Sequence, residues 1–465
     1  MNDLHYASLL EVSRLIRRRQ VSAVEVCSAL LGRIAQVDGR LNSFLTVLSD
    51  SALAEAAKAD GEIAAGLWRG PLHGVPVGIK DLLDVAGAPT TSGTEIFKDN
   101  IPSADATVVS RLRQGGAVII GKLHMTEGAT LAHHPTLPRP DNPWKAGYWT
   151  GVSSSGSGVA TAAGLCYGAL GSDTGGSIRM PSAACGLSGI KPTWGRVSRH
   201  GVFPLAESFD HIGPMARSAA DAAAMLQVMA GPDPRDPTAL PAPVPDYLSG
   251  LGASLVGLRI GIDRDLIETN VDPAVTASVN EALAAFESLG AIVRDIRLPP
   301  FAPLLGSVMP LLNAEVMVAH ADTFPRLADR YGPDLRRMLE AGAIFGAMDI
   351  ARCVHARAAF SGEMRKVFEE VDLVLTPAAP TPTLTWDEVE AMSGDQPALM
   401  DRIARYTLPF NVTGNPTLSL PSGVAPSGLP LGIQLVGPHL EEETLCRAGH
   451  RFQQATGHHL AHPEI

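Results

Sequence analysis

Hydrophobic residues recur at helical spacing near the beginning and the end of the chain. Three helices are predicted near the start, over residues 9–16, 24–37 and 52–65, and a closing helix over residues 441–455. Ser22 stands where the N-cap of the second helix would lie. None of these segments carries a residue pattern typical of a catalytic site, and we interpret them as scaffold.

Between these helices, apolar runs of the length of buried strands alternate with helical segments. This alternation predicts an α/β fold in which helices cover both faces of a mixed, twisted sheet. A long loop rich in Pro, His and Trp is predicted over residues 129–150. Strands are predicted within 75–85, 117–120, 166–173, 186–197, 258–262, 291–298, 371–380, 415–423 and 429–437, and helices within 159–165, 218–229, 273–289 and most of 304–368.

A proline-rich connector at residues 231–247 is the clearest break in this pattern. Strands are predicted on both sides of the connector, and no internal repeat is visible. With 465 residues, 45% of them hydrophobic and 18% charged, the chain can bury one large core. We therefore expect a single large domain.

Charge and cysteine content narrow the class of protein. The formal net charge of −11 argues against nucleic acid as a partner. Five scattered cysteines without a C-x-x-C spacing are typical of reduced thiols, which favours a cytoplasmic location. The N-terminus lacks the pattern of a signal peptide, and no apolar run approaches the ~20 residues of a membrane span, so no membrane association is expected.

The most unusual stretch of the sequence is 151–177, which is dominated by glycine and serine. Such a stretch is either a flexible linker or a site where a ligand approaches the backbone closely. The candidate nucleophiles here are the three serines from Ser153 onwards and Ser177, and a serine hydroxyl needs a base. Lys80, at the end of an apolar run, could supply that base if burial kept it neutral. The alternative is a lysine whose side chain merely reaches solvent from a strand end.

Other catalytic patterns are absent or incomplete. G-x-S-x-G does not occur, and the S-x-x-K match at 188–191 lacks the S-D-N and K-T-G motifs that accompany it in penicillin-interacting enzymes. GSDTGGS is not a phosphate-binding loop, because no G-K-[ST] follows it. The histidine pairs at 133–134 and 458–459 are adjacent in sequence and would point apart. We therefore expect neither a metal nor another cofactor.

The run from Gly151 to Arg217 resembles the amidase signature family of Ser-cisSer-Lys hydrolases. The family pattern GGSSGGS…G-[ST]-D-x-G-G-S-[IV]-R-x-P is present as GVSSSGS followed by GSDTGGSIRMP. The segment GVPVGIKD around Lys80 and the C-terminal segments GNPTLSLPSG and GLPLGIQLVG also match. The resemblance covers most of residues 5–235 and 405–465 and little of 240–400.

The resemblance implies specific roles for the serines and the lysine. It makes Ser177 the nucleophile and Lys80 the base. The serine that bridges them is then Ser153 and not one of its neighbours, because the family separates its two serines by 24 residues. Ser154 would then support the site by hydrogen bonding. The resemblance also implies a cis peptide bond between Val152 and Ser153.

The family further implies an oxyanion hole built from main-chain N–H groups of one turn. Asp173 and Arg179 flank that turn, and we expect them to hold it by hydrogen bonds. Candidates for the substrate pocket are Met125, Gly151 and Val152. The residues whose N–H groups would hold the oxyanion are Thr174, Gly175, Gly176 and Ser177.

By this resemblance the chain divides into N-terminal helices (1–70), a catalytic core (71–235), a variable substrate-pocket region (240–400) and the C-terminal part of the core (401–465). The expected function is hydrolysis of C–N bonds in small, apolar or aryl amides through an acyl-enzyme, by a monomer or a homodimer. Esters and carbamates stay open as further substrates, since the family includes carbamate hydrolases.

Two alternatives to a stand-alone hydrolase remain. The first is the amidase subunit of a tRNA-dependent amidotransferase, although Asp210-His211 stands where that subunit usually has Asp-Gln. The second is a non-catalytic binding module on the same scaffold, although Lys80, Ser153 and Ser177 are all present.

Overall fold

The computed structural model describes residues 4–392 and 396–465 of the chain. In this part, eleven strands form one mixed sheet in the order β1-β3-β2-β4-β6-β5-β10-β11-β9-β7-β8. The predicted α/β fold in one large domain is confirmed. The strands are β1 (Phe44–Val47), β2 (Pro76–Lys80), β3 (Val118–Leu123), β4 (Gly168–Asp173), β5 (Ser188–Lys191), β6 (His211–Ala216), β7 (Arg259–Ile262), β8 (Ile292–Asp295), β9 (Leu373–Pro377), β10 (Thr417–Val424) and β11 (Pro430–Val436).

Sixteen α-helices surround the sheet in the described residues. Ser22 caps the second of them in a capping box with Glu25, as its position in the sequence predicted. The helices are α1 (Leu9–Arg17), α2 (Ala23–Leu41), α3 (Ser49–Ala64), α4 (Thr107–Gln114), α5 (Ser155–Ala162), α6 (Arg179–Cys185), α7 (Ala219–Met229), α8 (Arg264–Glu268), α9 (Pro273–Ser288), α10 (Phe301–Ala319), α11 (Pro333–Gly342), α12 (Ala347–Glu370), α13 (Trp386–Ala391), α14 (Gln396–Ala404), α15 (Leu408–Val412) and α16 (Glu442–Thr456).

Side chains alternate across the central strands, which places helices on both faces of the sheet. Gly189 in β5 pairs with Ser419 in β10, and a Cβ at Gly189 would collide with Ser182 of α6. Leu418, the neighbour of Ser419, points the other way and packs against Gly449 of α16. The core is therefore closed by α6 on one side and by α16 on the other.

The register of the parallel strands positions the candidate site. β2 pairs in parallel with β4, with Gly78 opposite Ala169 and Ile79 opposite Leu170. The carboxyl ends of parallel strands meet at the same edge of a sheet. Lys80, the last residue of β2, is thereby brought to the end of β4, where Asp173 begins the glycine turn.

Several elements differ from their prediction. α5 begins at Ser155, inside the serine-rich stretch and earlier than the predicted start at residue 159, because all eight of its residues are buried and packing overrides the low helix propensity of Ser and Gly. β6 and the short helix α6 were not predicted. β6 contains Gly213 and Pro214, both of which weaken a strand signal.

Helix α10 is long and apolar enough to cross a membrane by length and composition, as a buried core helix also can be. It contains Pro310 and packs against α11 and α12. The five cysteines are all free and buried.

Candidate active site

A buried lysine lies at the carboxyl end of β2. Lys80 has no solvent exposure, and its Nζ lies within hydrogen-bond distance of three serine hydroxyls. The distances are 2.6 Å to Oγ of Ser153, 2.8 Å to Oγ of Ser172 and 3.0 Å to Oγ of Ser154. All three contacts are with uncharged groups.

Burial lowers the pKa of Lys80 from 10.5 to about 7, because the ammonium form loses its hydration. The carboxylates of Asp173 and Asp210 favour the charged form but do not outweigh the burial. A large fraction of Lys80 is therefore neutral near neutral pH, and a neutral amine can accept a proton. The alternative of a lysine reaching solvent from the strand end is excluded by its burial.

Ser153 lies at the beginning of the serine-rich stretch, and its peptide bond with Val152 is cis. The side chain is fully buried, and Nζ of Lys80 is the partner of its Oγ within the described residues. Gly151, before the cis bond, has a φ of 74°, and a Cβ there would lie 2.5 Å from the backbone nitrogen of Pro181. The close approach to α6 therefore requires glycine at position 151.

Ser177 follows the glycine turn that ends β4 and precedes α6. Its side chain is 6% exposed, and none of the hydrogen bonds between described residues uses its Oγ. The Oγ atom is not fully buried, so it is not sealed inside the core. The hydroxyl of Ser177 is free to act on a bound molecule.

A buried ion pair holds the turn that carries Ser177. Nε and Nη2 of Arg179 donate to the two carboxylate oxygens of Asp173 at 3.0 and 2.8 Å. The same carboxylate accepts the N–H groups of Gly176 at 2.8 Å and Ile178 at 3.0 Å. Burial alone would raise the pKa of Asp173, but the charge and hydrogen bonds of Arg179 outweigh it and hold the pKa well below its usual range.

The C-terminal part of the chain completes this arrangement. Nη1 of Arg179 donates to the carbonyl oxygen of Thr407 at 2.8 Å and to Oε1 of Gln434 at 2.9 Å, and Nη2 donates to Oδ1 of Asn411 at 2.5 Å. All five N–H donors of the guanidinium are thereby satisfied. The turn is consequently fixed by residues that follow it by more than 220 positions in sequence.

The expectation that four N–H groups face an oxyanion needs a correction at one residue. The N–H of Gly176 donates to Asp173, so it is not free for a substrate oxygen. Gly176 has a φ of 132°, and a Cβ there would lie 2.5 Å from Oγ1 of Thr407. Gly176 therefore shapes the turn, while the N–H groups of Thr174, Gly175 and Ser177 have no partner within the described residues.

A cavity lies beside the turn and reaches one of the lysine's partners. Its walls include Ser172, Asp210, Arg199 and Phe203. Asp210 accepts the hydroxyl of Thr174 at 2.5 Å, and burial raises the pKa of this carboxyl group to about 6.

A second, mostly apolar cavity is lined by Trp149, Met180, Leu384 and Ile403 among others. The pocket candidates Met125, Gly151 and Val152 are buried but line neither cavity. Their role in substrate binding therefore stays a prediction.

Together, these groups can activate a hydroxyl. Within the described residues, no cluster of three His, Cys, Asp or Glu side chains could hold a metal ion. A neutral amine contacts one hydroxyl at 2.6 Å, a second hydroxyl is free, and unpaired N–H groups adjoin it. This is the set of groups that acyl transfer through a serine requires.

Sequence reasoning missed four residues of the site. The only available signal for Ser172 was its place beside Asp173 in the matching motif GSDTGGS. Gln434 likewise had only its place in the matching segment GLPLGIQLVG. Thr407 and Asn411 carried no local signal, because their partners are contributed by a distant segment of the chain.

Known proteins resemble this chain along almost its whole length. The model of the Amidase family matches residues 25–446. AmiD of Mycobacterium tuberculosis, whose name assigns it to the amidases, is 48% identical over 457 residues, which cover 98% of this chain and 96% of AmiD. A glutamyl-tRNA(Gln) amidotransferase subunit of Methylococcus capsulatus is 39% identical over 486 residues, which cover 99% of each chain.

A solved structure agrees with the family match. The structure of 6-aminohexanoate cyclic dimer hydrolase complexed with substrate has a TM-score of 0.87 at 27% identity, covering 99% of each chain. The fold, the sequence identity and the family match lead to one conclusion: this chain belongs to the amidase signature family of hydrolases.

Proposed function

We propose that this chain is a serine amidohydrolase that cleaves C–N bonds of small, apolar or aryl amides through an acyl-enzyme. The observation that carries the proposal is the 2.6 Å contact between Nζ of Lys80 and Oγ of Ser153, in a site where burial brings the pKa of the lysine to about 7. In this proposal Ser177 is the nucleophile, Ser153 the bridging serine and Lys80 the base.

The first step is attack on the substrate carbonyl. Neutral Lys80 takes the proton of Ser153 while Ser153 takes the proton of Ser177, and the oxygen of Ser177 bonds to the carbonyl carbon. The carbonyl oxygen becomes an oxyanion, and Lys80 becomes an ammonium ion. The buried hydroxyls around Lys80 accept hydrogen bonds from this ammonium ion.

The oxyanion needs preorganised donors. We assign this role to the N–H groups of Thr174, Gly175 and Ser177, with Gly176 directed to Asp173 instead. Loss of one such donor typically removes roughly 3 kcal/mol of transition-state stabilisation. The ion pair of Asp173 with Arg179 supports these donors by fixing the turn.

Collapse of the tetrahedral intermediate breaks the C–N bond. Ser153 gives its proton to the leaving nitrogen and regains one from Lys80, which returns the lysine to its neutral form. Water then attacks the acyl-enzyme and gives a proton to the same relay. The relay returns this proton to Oγ of Ser177 as the bond to the acyl carbon breaks and the acid leaves. Amide and water are consumed, and carboxylic acid and amine are formed.

Support for an apolar substrate comes from the mostly apolar cavity. Its wall residue Met180 is adjacent in sequence to Arg179, and Cε of Met180 would lie 2.7 Å from a Cβ at Gly176. The cavity therefore borders the turn that carries the nucleophile. Esters and carbamates (urethanes) present the same carbonyl to Ser177, so we include them as further substrates.

An amidotransferase subunit is the less supported alternative. The relative named for that function is 39% identical to this chain, against 48% for AmiD. Hydrolysis of a chromogenic anilide by the isolated chain supports the stand-alone amidase, and inactivity on a full panel of amides would favour a subunit that needs partners.

Ser177→Ala tests the nucleophile, with Ser182→Ala as the matched control. Ser182 is a buried serine of α6 whose Oγ has no hydrogen-bond partner among the described residues, so its loss should leave activity and melting temperature nearly unchanged. Ser177→Ala should abolish anilide hydrolysis and labelling by a fluorophosphonate. A few per cent of residual activity, or continued labelling of the variant, would contradict the assignment. Absence of labelling in the unmodified protein would instead favour a non-catalytic binding module.

A substrate panel tests the specificity part of the proposal separately. We expect kcat/KM to be higher for an aryl or alkyl amide than for a charged amide of the same size. The panel contains a primary amide, an anilide, an ester and an aryl carbamate. Preference for a charged acyl group would contradict the apolar pocket without affecting the roles of Lys80 and Ser177.

A further inference from the structure

The three hydroxyls around Lys80 cannot all be hydrogen-bond acceptors when the lysine is neutral. A neutral amine has two N–H donors and one lone pair, whereas the structure places three oxygens at 2.6–3.0 Å from Nζ. One of the three serines must therefore donate its proton to the lone pair. Which serine does so decides whether Lys80 can act as the base for Ser153.

Ser154 has another acceptor for its proton. Its hydroxyl donates to the carbonyl oxygen of Ser172 at 3.2 Å, and its Oγ accepts the N–H of Ser172 at 3.2 Å. We therefore assign the one proton of Ser154 to this carbonyl oxygen, which leaves its Oγ to accept from Lys80. Ser154 thus takes one of the two N–H donors of the neutral lysine.

The remaining N–H and the lone pair are shared between Ser153 and Ser172. If the lone pair faces Ser153, proton transfer from Ser153 is possible, and Ser172 must accept the second N–H. If the lone pair faces Ser172, Ser153 receives an N–H and cannot give up its proton to Lys80. The orientation of the Ser172 hydroxyl therefore selects between a reactive and an unreactive arrangement.

We infer that Ser172 is a positioning residue, which accepts an N–H of Lys80 and so directs the lone pair of the lysine at Ser153. This inference rests on the proposed role of Lys80 as the base. Ser172 is suited to the task because it lines the cavity that also contains Asp210, Arg199 and Glu207. Its own proton can point into that cavity, which leaves its oxygen free to accept from Lys80.

The test compares Ser172→Ala with Ser172→Thr, which keeps the hydroxyl and suits a β-strand. Ser419→Ala is the matched control, since Ser419 is a buried strand serine whose Oγ has no hydrogen-bond partner in the part of the chain that the structure describes. The kinetic constants kcat and KM are measured on a chromogenic anilide from pH 5 to pH 9, together with the melting temperature of each variant.

Ser172→Ala should lower kcat about tenfold and leave KM within about twofold, because Ser172 orients the base and does not bind substrate. It should also move the acid limb of the pH profile to lower pH by about 0.5 or more. The ammonium form of Lys80 donates to all three serines, and Ser172→Ala removes one of these bonds. That bond is charge-assisted and stronger than the bond that the neutral form loses, so the substitution disfavours the ammonium form and lowers the pKa of Lys80. The charged groups that act on Lys80, Asp173 and Asp210, are the same in all variants.

Ser172→Thr should restore kcat to within about threefold of the unmodified protein, and Ser419→Ala should leave both kcat and the acid limb unchanged. If Ser172→Ala does not fold, Ser172→Cys replaces it with the same expectation, because a thiol is a weak acceptor. Unchanged kcat and an unchanged acid limb in Ser172→Ala would overturn the inference. A threonine variant as slow as the alanine variant would overturn it as well.

Lys80→Met separates this inference from the proposed function. Activity in Lys80→Met would refute the lysine base itself, and with it the inference. An inactive Lys80→Met combined with a fully active Ser172→Ala would refute only the positioning role of Ser172.

Discussion

The titration of Lys80 should set the acid limb of the activity profile. If the pKa of Lys80 is about 7, about 1% of it is neutral at pH 5, about half at pH 7 and about 90% at pH 8. The value of kcat/KM should therefore rise nearly tenfold between pH 5 and pH 6 and become almost constant above pH 8.

The size of the effect follows from burial. Bringing the pKa of the lysine from 10.5 to about 7 corresponds to about 5 kcal/mol, the cost of removing the ammonium from water less the attraction of Asp173 and Asp210. Without burial only about 0.03% of Lys80 would be neutral at pH 7, and kcat/KM would keep rising to pH 10.

The assay is hydrolysis of p-nitroacetanilide, whose product p-nitroaniline absorbs equally across this pH range. Lys80→Met supplies the background rate, and melting temperatures show that the protein is folded at each pH. A flat profile from pH 5 to pH 9, or a tenfold rise per pH unit persisting above pH 8, would refute the reasoning.

Asp210 also titrates in this range, since burial raises its pKa to about 6. Asp210→Asn removes a negative charge near Lys80, so the pKa of the lysine should fall and the acid limb should move to lower pH. Disappearance of the acid limb in this variant would assign it to Asp210 and not to Lys80.

Two further predictions concern the turn that carries Ser177. Asp173→Asn leaves Arg179 as a buried charge without its counterion and should cost about 3–5 kcal/mol in the free energy of unfolding measured with urea. Asp265→Asn, in an exposed pair with Arg297, should cost less than about 1 kcal/mol. Equal losses in the two variants would contradict the structural role of the buried pair. Gly176→Ala should lower stability by about 2–4 kcal/mol, because its φ is positive and its Cβ would meet Thr407. Gly175→Ala, whose Cβ would lie 3.6 Å from Leu408, should change stability by less than about 1 kcal/mol. Urea unfolding of both glycine variants measures this difference, and a stable Gly176→Ala would show that the turn can relax.

Local sequence patterns determined most of the secondary structure and the family of this protein. The pattern of apolar residues predicted most helices and buried strands, because burial of one helix face leaves a helical period in the sequence and burial of a whole strand leaves a short continuous apolar run. The short motifs around Ser153 and Ser177, and Lys80 at the end of an apolar strand, were sufficient to indicate the family. They were sufficient because close approach of the backbone restricts positions such as Gly151 to one residue type.

Only the tertiary structure decided how these residues cooperate. The contact of Lys80 with Ser172 depends on the parallel register of β2 and β4, and the donors of Arg179 are satisfied by Thr407, Asn411 and Gln434 far along the chain. That Asp173 engages the N–H of Gly176, and so removes it from the oxyanion donors, was also decided only by the tertiary structure. Hydrogen bonds between distant segments follow from strand order and helix packing, which leave no periodicity in the residues that make them.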